Sequence, residues 1–202
     1  MHPNKLVALL VVLLLCIAGC TPSGELNTRI TGNNAGPKCD RVAIGVTRYY
    51  LNYPFFGGMS GWSRGVPTVH DMTGEIYLYS TDTSKLQRIA SIKAPSRWKD
   101  DTVRFSIYPR ILPNNELIFM LRGCPKDNQN CDETSYYHLT QNGKYSEMNN
   151  WPDASKEESE SYQRCTSYLT YKDDITFVSI GPTGGPWRPL LSFKNNELIP
   201  IK

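Results

Sequence analysis

The chain has 202 residues and a nearly balanced charge, with 22 Lys and Arg against 19 Asp and Glu. This length is enough for one domain with a hydrophobic core of its own. A nucleic-acid-binding protein would carry a strongly basic surface, so the charge balance argues against that class.

The first nineteen residues have the pattern of an export signal. Lys5 provides a positive start, and the fourteen residues from Leu6 to Gly19 have no polar side chain apart from the thiol of Cys16. A transmembrane helix needs about 20 apolar residues, whereas a cleaved signal has a shorter apolar run and a small-residue exit. Residues 1–19 are therefore predicted to be a signal peptide.

The exit of this run, Ile17-Ala18-Gly19-Cys20, resembles the bacterial lipobox. The resemblance implies a diacylglycerol thioether on Cys20, cleavage before it and acylation of the new amino terminus. Thr21 is not Asp, which by analogy with enterobacterial lipoproteins implies transfer to the outer membrane. We expect a lipoprotein that faces the periplasm and contacts the membrane through its acyl chains only. The alternative is an ordinary secretory signal with a chance cysteine.

Behind the anchor, residues 20–38 are predicted to be a flexible tether and residues 39–202 a single β domain. Runs of β-branched and aromatic residues bounded by turn residues predict strands at 42–51, 75–80, 86–92, 103–108, 116–122, 135–139, 168–171 and 175–180. Residues 153–164 predict one short helix with Asp153 as its N-cap. The predicted fold class is all-β, made of antiparallel meanders that form either propeller-like blades or a β-sandwich.

A pentapeptide occurs twice. Residues 114–118 read Asn-Asn-Glu-Leu-Ile, and so do residues 195–199, which lie 81 positions later. A looser copy is Gly74-Glu75-Ile76. A period near 40 residues is typical of propeller blades. The alternative is coincidence, since such sequences are common at the tips of hairpins.

The body of the protein has four cysteines, Cys39, Cys124, Cys131 and Cys165. An even number in an exported chain predicts two disulfides. Of the three possible pairings we favour Cys39–Cys165 and Cys124–Cys131, because the second closes a short polar loop and the first ties the start of the fold to its last third. A zinc site is the alternative, but the six-residue gap is wider than usual and no histidine pair lies nearby.

One stretch matches a catalytic motif. Gly61-Trp62-Ser63-Arg64-Gly65 fits G-x-S-x-G, the nucleophile elbow of lipases and esterases, which requires a strand before the serine and a helix after it. The preceding residues read as a loop and Pro67 discourages a helix, so a glycine-rich turn is the favoured interpretation. We predict no catalytic residue, no metal and no cofactor.

Two aromatic segments are predicted to bind a partner. Tyr53, Phe55, Phe56 and Trp62 lie among Gly and Pro in one segment, and Trp187 and Arg188 end a Gly- and Pro-rich loop. These residue types dominate the energetic centres of protein interfaces. An acidic stretch around Glu157, Glu158 and Glu160 could steer a basic partner. The alternative for each segment is the edge of a core or a solvated face.

Taken together, the lipobox, a length near 200, a cysteine-stapled β body and the lack of an enzyme motif resemble the lipoprotein immunity proteins that protect Gram-negative cells from type VI secreted phospholipases. The resemblance implies a cognate toxic effector as the partner and blockade of its catalytic cleft as the mechanism. The alternative function is a structural or assembly lipoprotein of the cell envelope. A membrane-anchored hydrolase that uses Ser63 is the third hypothesis.

Overall fold

The computed structural model describes residues 24–52, 68–99, 104–126, 133–140 and 142–201. In these ranges the chain forms three four-stranded antiparallel sheets and one short helix, which confirms the predicted all-β class. Each sheet is a meander in which strands that follow one another in the chain pair side by side.

The elements follow in chain order. The first sheet contains β1 (Gly24–Ala35), β2 (Arg41–Asn52), β3 (Thr68–Ser80) and β4 (Lys85–Lys93). The second contains β5 (Ser106–Ile111), β6 (Leu117–Gly123), β7 (Glu133–Leu139) and β8 (Tyr145–Met148). The helix α1 (Lys156–Arg164) leads into the third sheet, made of β9 (Thr166–Lys172), β10 (Ile175–Gly181), β11 (Arg188–Lys194) and β12 (Glu197–Pro200).

The first sheet is the central layer, because both of its faces are buried. Side chains alternate between the two faces of a strand. On β3, Met72 and Ile76 pack with Phe119 and Leu121 of the second sheet. The opposite face of the first sheet, which includes Ile44, packs against the third sheet in a second cluster. The three meanders therefore form a stack of sheets in contact through their faces.

Two glycines allow β5 to lie directly on the central sheet. A side chain at Gly32 or Gly45 would place its Cβ closer than 3.0 Å to the carbonyl oxygen of Ile107 on β5. The open edge of β5 is hydrogen-bonded by side chains instead of by another strand: the Thr31 hydroxyl donates to the Ile107 carbonyl oxygen at 3.0 Å, and the Arg29 guanidinium donates to the Phe105 carbonyl oxygen at 2.9 Å. An exposed strand edge is thereby covered.

The prediction of a flexible tether up to residue 38 is wrong for residues 24–35, which form β1. Its sequence, GELNTRITGNNA, is polar and carries no clear strand pattern. It is a strand because β2 pairs with it from Gly24↔Asn52 to Ala35↔Val42. Three further strands, β8, β11 and β12, were not predicted, and the strand expected at 103–108 runs from Ser106 to Ile111.

The helix lies where it was predicted, but its N-cap is Ser155 and not Asp153. The Ser155 hydroxyl accepts a hydrogen bond from the Glu158 N–H at 3.1 Å, and the Glu158 carboxylate accepts one from the Ser155 N–H at 2.8 Å. This reciprocal capping box satisfies two N–H groups that the first turn leaves without partners. It begins the helix two residues later than an Asp153 cap would.

The repeated pentapeptide is a repeat of turn chemistry and not of blades. The first copy forms the turn between the first two strands of its sheet, and the second forms the turn between the last two strands of another. Asn115, Asn195 and Asn196 all have φ between 51° and 65°, a region that Asn tolerates better than most residues. The looser copy at Gly74 lies inside β3.

One of the two predicted disulfides is present among the described residues. Cys39 and Cys165 are bonded, with their Cα atoms 5.6 Å apart, and they join the β1–β2 connection to the residue after α1. Cys124 is also disulfide-bonded. Cys131 lies outside the described residues, so the pairing of Cys124 with Cys131 stays a prediction.

Candidate partner-binding surface

The three sheets share two ends, which we call the Gly24 end and the Ala35 end after the two ends of β1. At the Gly24 end, the Asn196 amide in the β11–β12 turn donates to the Leu26 carbonyl oxygen at 2.9 Å. At the Ala35 end lie the Cys39–Cys165 disulfide and α1. These two contacts fix the third sheet against the first along their common length.

The predicted binding residues fall into two groups that the fold keeps apart. Tyr53, Phe55, Phe56 and Trp62, together with Ser63 of the G-x-S-x-G motif, lie outside the described residues. The strands that flank them, β2 and β3, pair through Asn52↔Thr68 at the Gly24 end. Trp187 and Arg188 belong to the Ala35 end, because Arg188 begins β11 opposite Ile180 at the end of β10.

Trp187 is exposed but firmly held. The residue is 42% exposed, and its ring stacks on Tyr168 with ring centroids 3.9 Å apart and planes 19° from parallel. Its indole N–H donates to the Pro182 carbonyl oxygen at 3.1 Å. A side chain at Gly181 would place its Cβ 2.7 Å from Trp187 Cδ1, so glycine is required there. The loop therefore presents the indole in one orientation before any partner arrives.

Trp187 belongs to a larger apolar surface on the outer side of the third sheet. Val178 of β10 faces the core, so its neighbour Phe177 faces outward. Phe177 aligns with Ser192 and then Ile199 across the sheet, and Ile199 is 48% exposed. We call Tyr168, Phe177, Trp187 and Ile199 the Trp187 face. It combines large ring area with small hydroxyl side chains.

Arg188 does not join this face. It pairs with Ile180, whose side chain faces the core cluster between the first and third sheets, so Arg188 leaves β11 toward the inner side at the exposed end of the strand. The structure thus separates two adjacent residues that the sequence placed in one binding group. Alternation of side chains along the strand is the physical reason.

The acidic helix is only partly available to a partner. Glu158 binds Arg110 of β5 through two hydrogen bonds of 2.9 and 3.0 Å, and both side chains are 13% exposed. Burial raises the pKa of Glu158, but hydrogen bonds from Arg110 and from the Ser155 N–H lower it more, so the net pKa lies below the ordinary value. Glu160 is 63% exposed and lies 3.8 Å from Lys156, and it remains a candidate for steering. The side chain of Glu157 lies outside the described part of the chain.

Two clefts open at the Ala35 end. The first, of about 400 Å³, lies between α1 and β5 and is lined by Asn34, Arg110, Ser161 and Tyr162 among others. The second, of about 500 Å³, lies between the first and second sheets, with Leu78 and Leu139 among its apolar residues and His138 among its polar ones. His138 Nε2 is 3.6 Å from a carboxylate oxygen of Glu116. His70 lies far from it, opposite Tyr50 near the Gly24 end.

A buried ionic cluster was not predicted. The Glu75 carboxylate, on the face toward the third sheet, accepts hydrogen bonds from Arg48 at 2.5 Å, from Arg88 at 2.8 Å and from the Tyr77 hydroxyl at 2.8 Å. Burial raises the pKa of Glu75, but these donors lower it by more, so the carboxylate is held ionised. The signal in the sequence was a lone Glu among the apolar residues of a strand.

The described residues contain no group of three or more His, Cys, Asp or Glu side chains that could hold a metal ion. In the same part of the chain, no helix is long and apolar enough to cross a membrane. Comparisons with models of protein families, with characterised proteins and with solved structures find no match to this chain.

Proposed function

We propose that this protein is a periplasm-facing binding protein, anchored to the outer membrane through lipid on Cys20, that acts as an immunity protein. It binds a secreted antibacterial effector of the phospholipase type and blocks it. The lipobox supports the anchor, and the resemblance drawn from length, cysteines and β body supports the partner class. The observation that carries the binding function is the preorganised and exposed Trp187 indole.

A rigid aromatic surface favours tight binding because little conformational entropy is lost when the partner docks. An immobilised side chain otherwise costs about 0.5–1.5 kcal/mol on association. The Trp187 ring is already fixed by the Tyr168 stack and by its hydrogen bond to Pro182. A flat, fixed indole with apolar neighbours can fill the mouth of a lipase-type cleft, which is itself apolar because it accepts acyl chains. The inhibitor would thus exclude phospholipid without performing chemistry.

The experiment measures binding and protection with matched variants. A phospholipase effector from the same bacterium is directed to the periplasm of a susceptible strain, and survival is scored beside affinity for the purified domain. Trp187→Ala should weaken binding by about 2 kcal/mol or more, roughly thirtyfold. Tyr145→Ala is the control, because Tyr145 is 47% exposed but lies on the second sheet. Phe55→Ala and Phe56→Ala test the other predicted group.

A Ser63→Ala variant separates an inhibitor from an enzyme. Protection should be unchanged in this variant, since blockade needs no nucleophile. Hydrolysis of lipid esters by the purified protein in a Ser63-dependent manner would contradict the proposal. Unchanged affinity of the Trp187→Ala variant for the effector would contradict the proposed role of the Trp187 face in binding. Failure to bind any effector, together with an envelope defect on deletion, would favour the structural or assembly role.

A further inference from the structure

The start of β1 limits how far the domain can move from the bilayer. β1 begins at Gly24, only four residues after Cys20. Four residues of fully extended chain span at most about 14 Å. The headgroup layer that this chain must cross is about 5–8 Å thick. The twelve-residue strand β1 is about 40 Å long, so the leash is short compared with the domain.

From this geometry we propose that the Gly24 end of the domain rests on the phospholipid surface of the membrane, with Tyr50 and Tyr171 in the headgroup layer. The inference rests on the proposed lipidation of Cys20. It changes the expectation that the protein contacts the membrane through its lipid alone, because that expectation assumed a tether running to residue 38.

The exposed aromatic residues at this end fit a lipid interface. Tyr50, opposite Leu26 near the start of β1, is 44% exposed. Tyr171, one residue before the end of β9, is 75% exposed. Tyrosine combines an apolar ring with a polar hydroxyl and is favoured where a bilayer meets water. The third sheet shares this end with β1, because Asn196 donates to the Leu26 carbonyl oxygen.

Charge does not explain the contact. Among the described residues, the start of β1 and the turns of the third sheet carry Lys172 and Lys194 against Glu25, Asp173, Asp174 and Glu197. In this group carboxylates outnumber amines, so these turns are not attracted to anionic lipid. The short connection to Cys20 and the two tyrosines carry the proposal, and zwitterionic phospholipid tests them without electrostatic attraction. In the same orientation Trp187, α1 and both clefts lie at the opposite end from the bilayer, open to a partner in the periplasm.

Lysines at the two ends of the domain provide the test without any substitution. Lys172 and Lys194 lie at the Gly24 end, whereas Lys38, Lys85 and Lys156 lie at the Ala35 end, and all five are exposed. The lipidated protein is reconstituted in zwitterionic phospholipid vesicles and labelled with a water-soluble amine reagent. A secreted form that begins at Thr21 serves as the soluble reference. Labelling of Lys172 and Lys194 should slow severalfold on vesicles, and labelling of the other three should not change.

Two variants separate contact from tethering. Insertion of about ten Gly and Ser residues before Gly24 adds about 17 Å of root-mean-square reach and should restore most of the labelling. Tyr50→Ser with Tyr171→Ser should restore it in part while the leash keeps its length. Acyl mass and flotation with the vesicles establish that the protein is anchored. If both groups of lysines are then labelled equally on vesicles, the proposed contact is wrong although the lipid anchor is present. Protein without acyl mass would overturn the anchor itself.

Discussion

Replacing Glu75 by Gln should destabilise the protein far more than replacing an exposed glutamate. Glu75 is 4% exposed and accepts hydrogen bonds from two arginines and a tyrosine. The substituted amide would have the same shape as the carboxylate but no charge, and its NH₂ group would face arginine donors. The two guanidinium groups would then lack the carboxylate that compensates for their partial burial.

The magnitude follows from the burial of each partner. Breaking a buried ion pair by removing one partner costs about 3–5 kcal/mol. The Arg48 and Arg88 side chains are 25% and 58% exposed, so water compensates in part and the lower end, about 3 kcal/mol, is expected. Glu133→Gln is the matched control. It breaks the ion pair with Arg97, whose side chain is 58% exposed, and should cost less than about 1 kcal/mol.

The stability that Glu75 contributes should decrease at acidic pH. The folded-state pKa of Glu75 is lowered below the unfolded value, because the donors outweigh the opposing effect of burial. A group of this kind contributes stability that is complete above its unfolded pKa and is lost as the pH falls through its folded pKa. The difference between the wild type and Glu75→Gln should therefore be constant from neutral pH to about 5.5 and shrink below about 4.

Urea unfolding followed by tryptophan fluorescence gives the free energy of unfolding of each variant. Replacing Glu75 and Arg48 together by Met should cost less than the sum of the two single changes, because the only charge left without its partner is that of Arg88, which is 58% exposed to water. If Glu75→Gln lost no more stability than Glu133→Gln at neutral pH, the cluster would be an exposed surface pair in energetic terms and the reasoning would be refuted.

Two further predictions concern the Cys39–Cys165 disulfide and the close approach of β5 to the first sheet. The double substitution of Cys39 and Cys165 by Ser should lower the free energy of unfolding by up to about 5 kcal/mol, because the bond spans 126 residues. A reductant should destabilise the wild type more than this double variant, which has already lost the bond. Gly45→Ala should cost about 1–3 kcal/mol, since its Cβ would meet the Ile107 backbone. Gly36→Ala, whose Cβ would lie 3.3 Å from its nearest neighbour, a side-chain carbon of Ile111, should cost less in the same urea unfolding measurement.

Local patterns were sufficient for the class of the fold. The runs at 42–51 and 175–180 combine β-branched and aromatic residues between turns, and both lie within the observed strands β2 and β10. The helix was predicted over residues 153–164 from a possible N-cap and a Glu-rich first turn, and it is observed at Lys156–Arg164. The observed N-cap is Ser155, whereas Asp153 was predicted. Both residue types are good N-caps, and only the contact with Glu158 distinguishes them.

Tertiary contacts determine the features that the sequence did not predict. β1 is polar and gives no strand signal by itself, and it is ordered by pairing with β2 and by side-chain bonds to β5. Alternation shows that β10 has two faces, but only the packing on the first sheet shows that Val178 is buried and Phe177 is not. Glu75, Arg48 and Arg88 come from three strands and meet because those strands pair. A sequence specifies which side chains share a strand face, whereas burial depends on which distant segment covers that face.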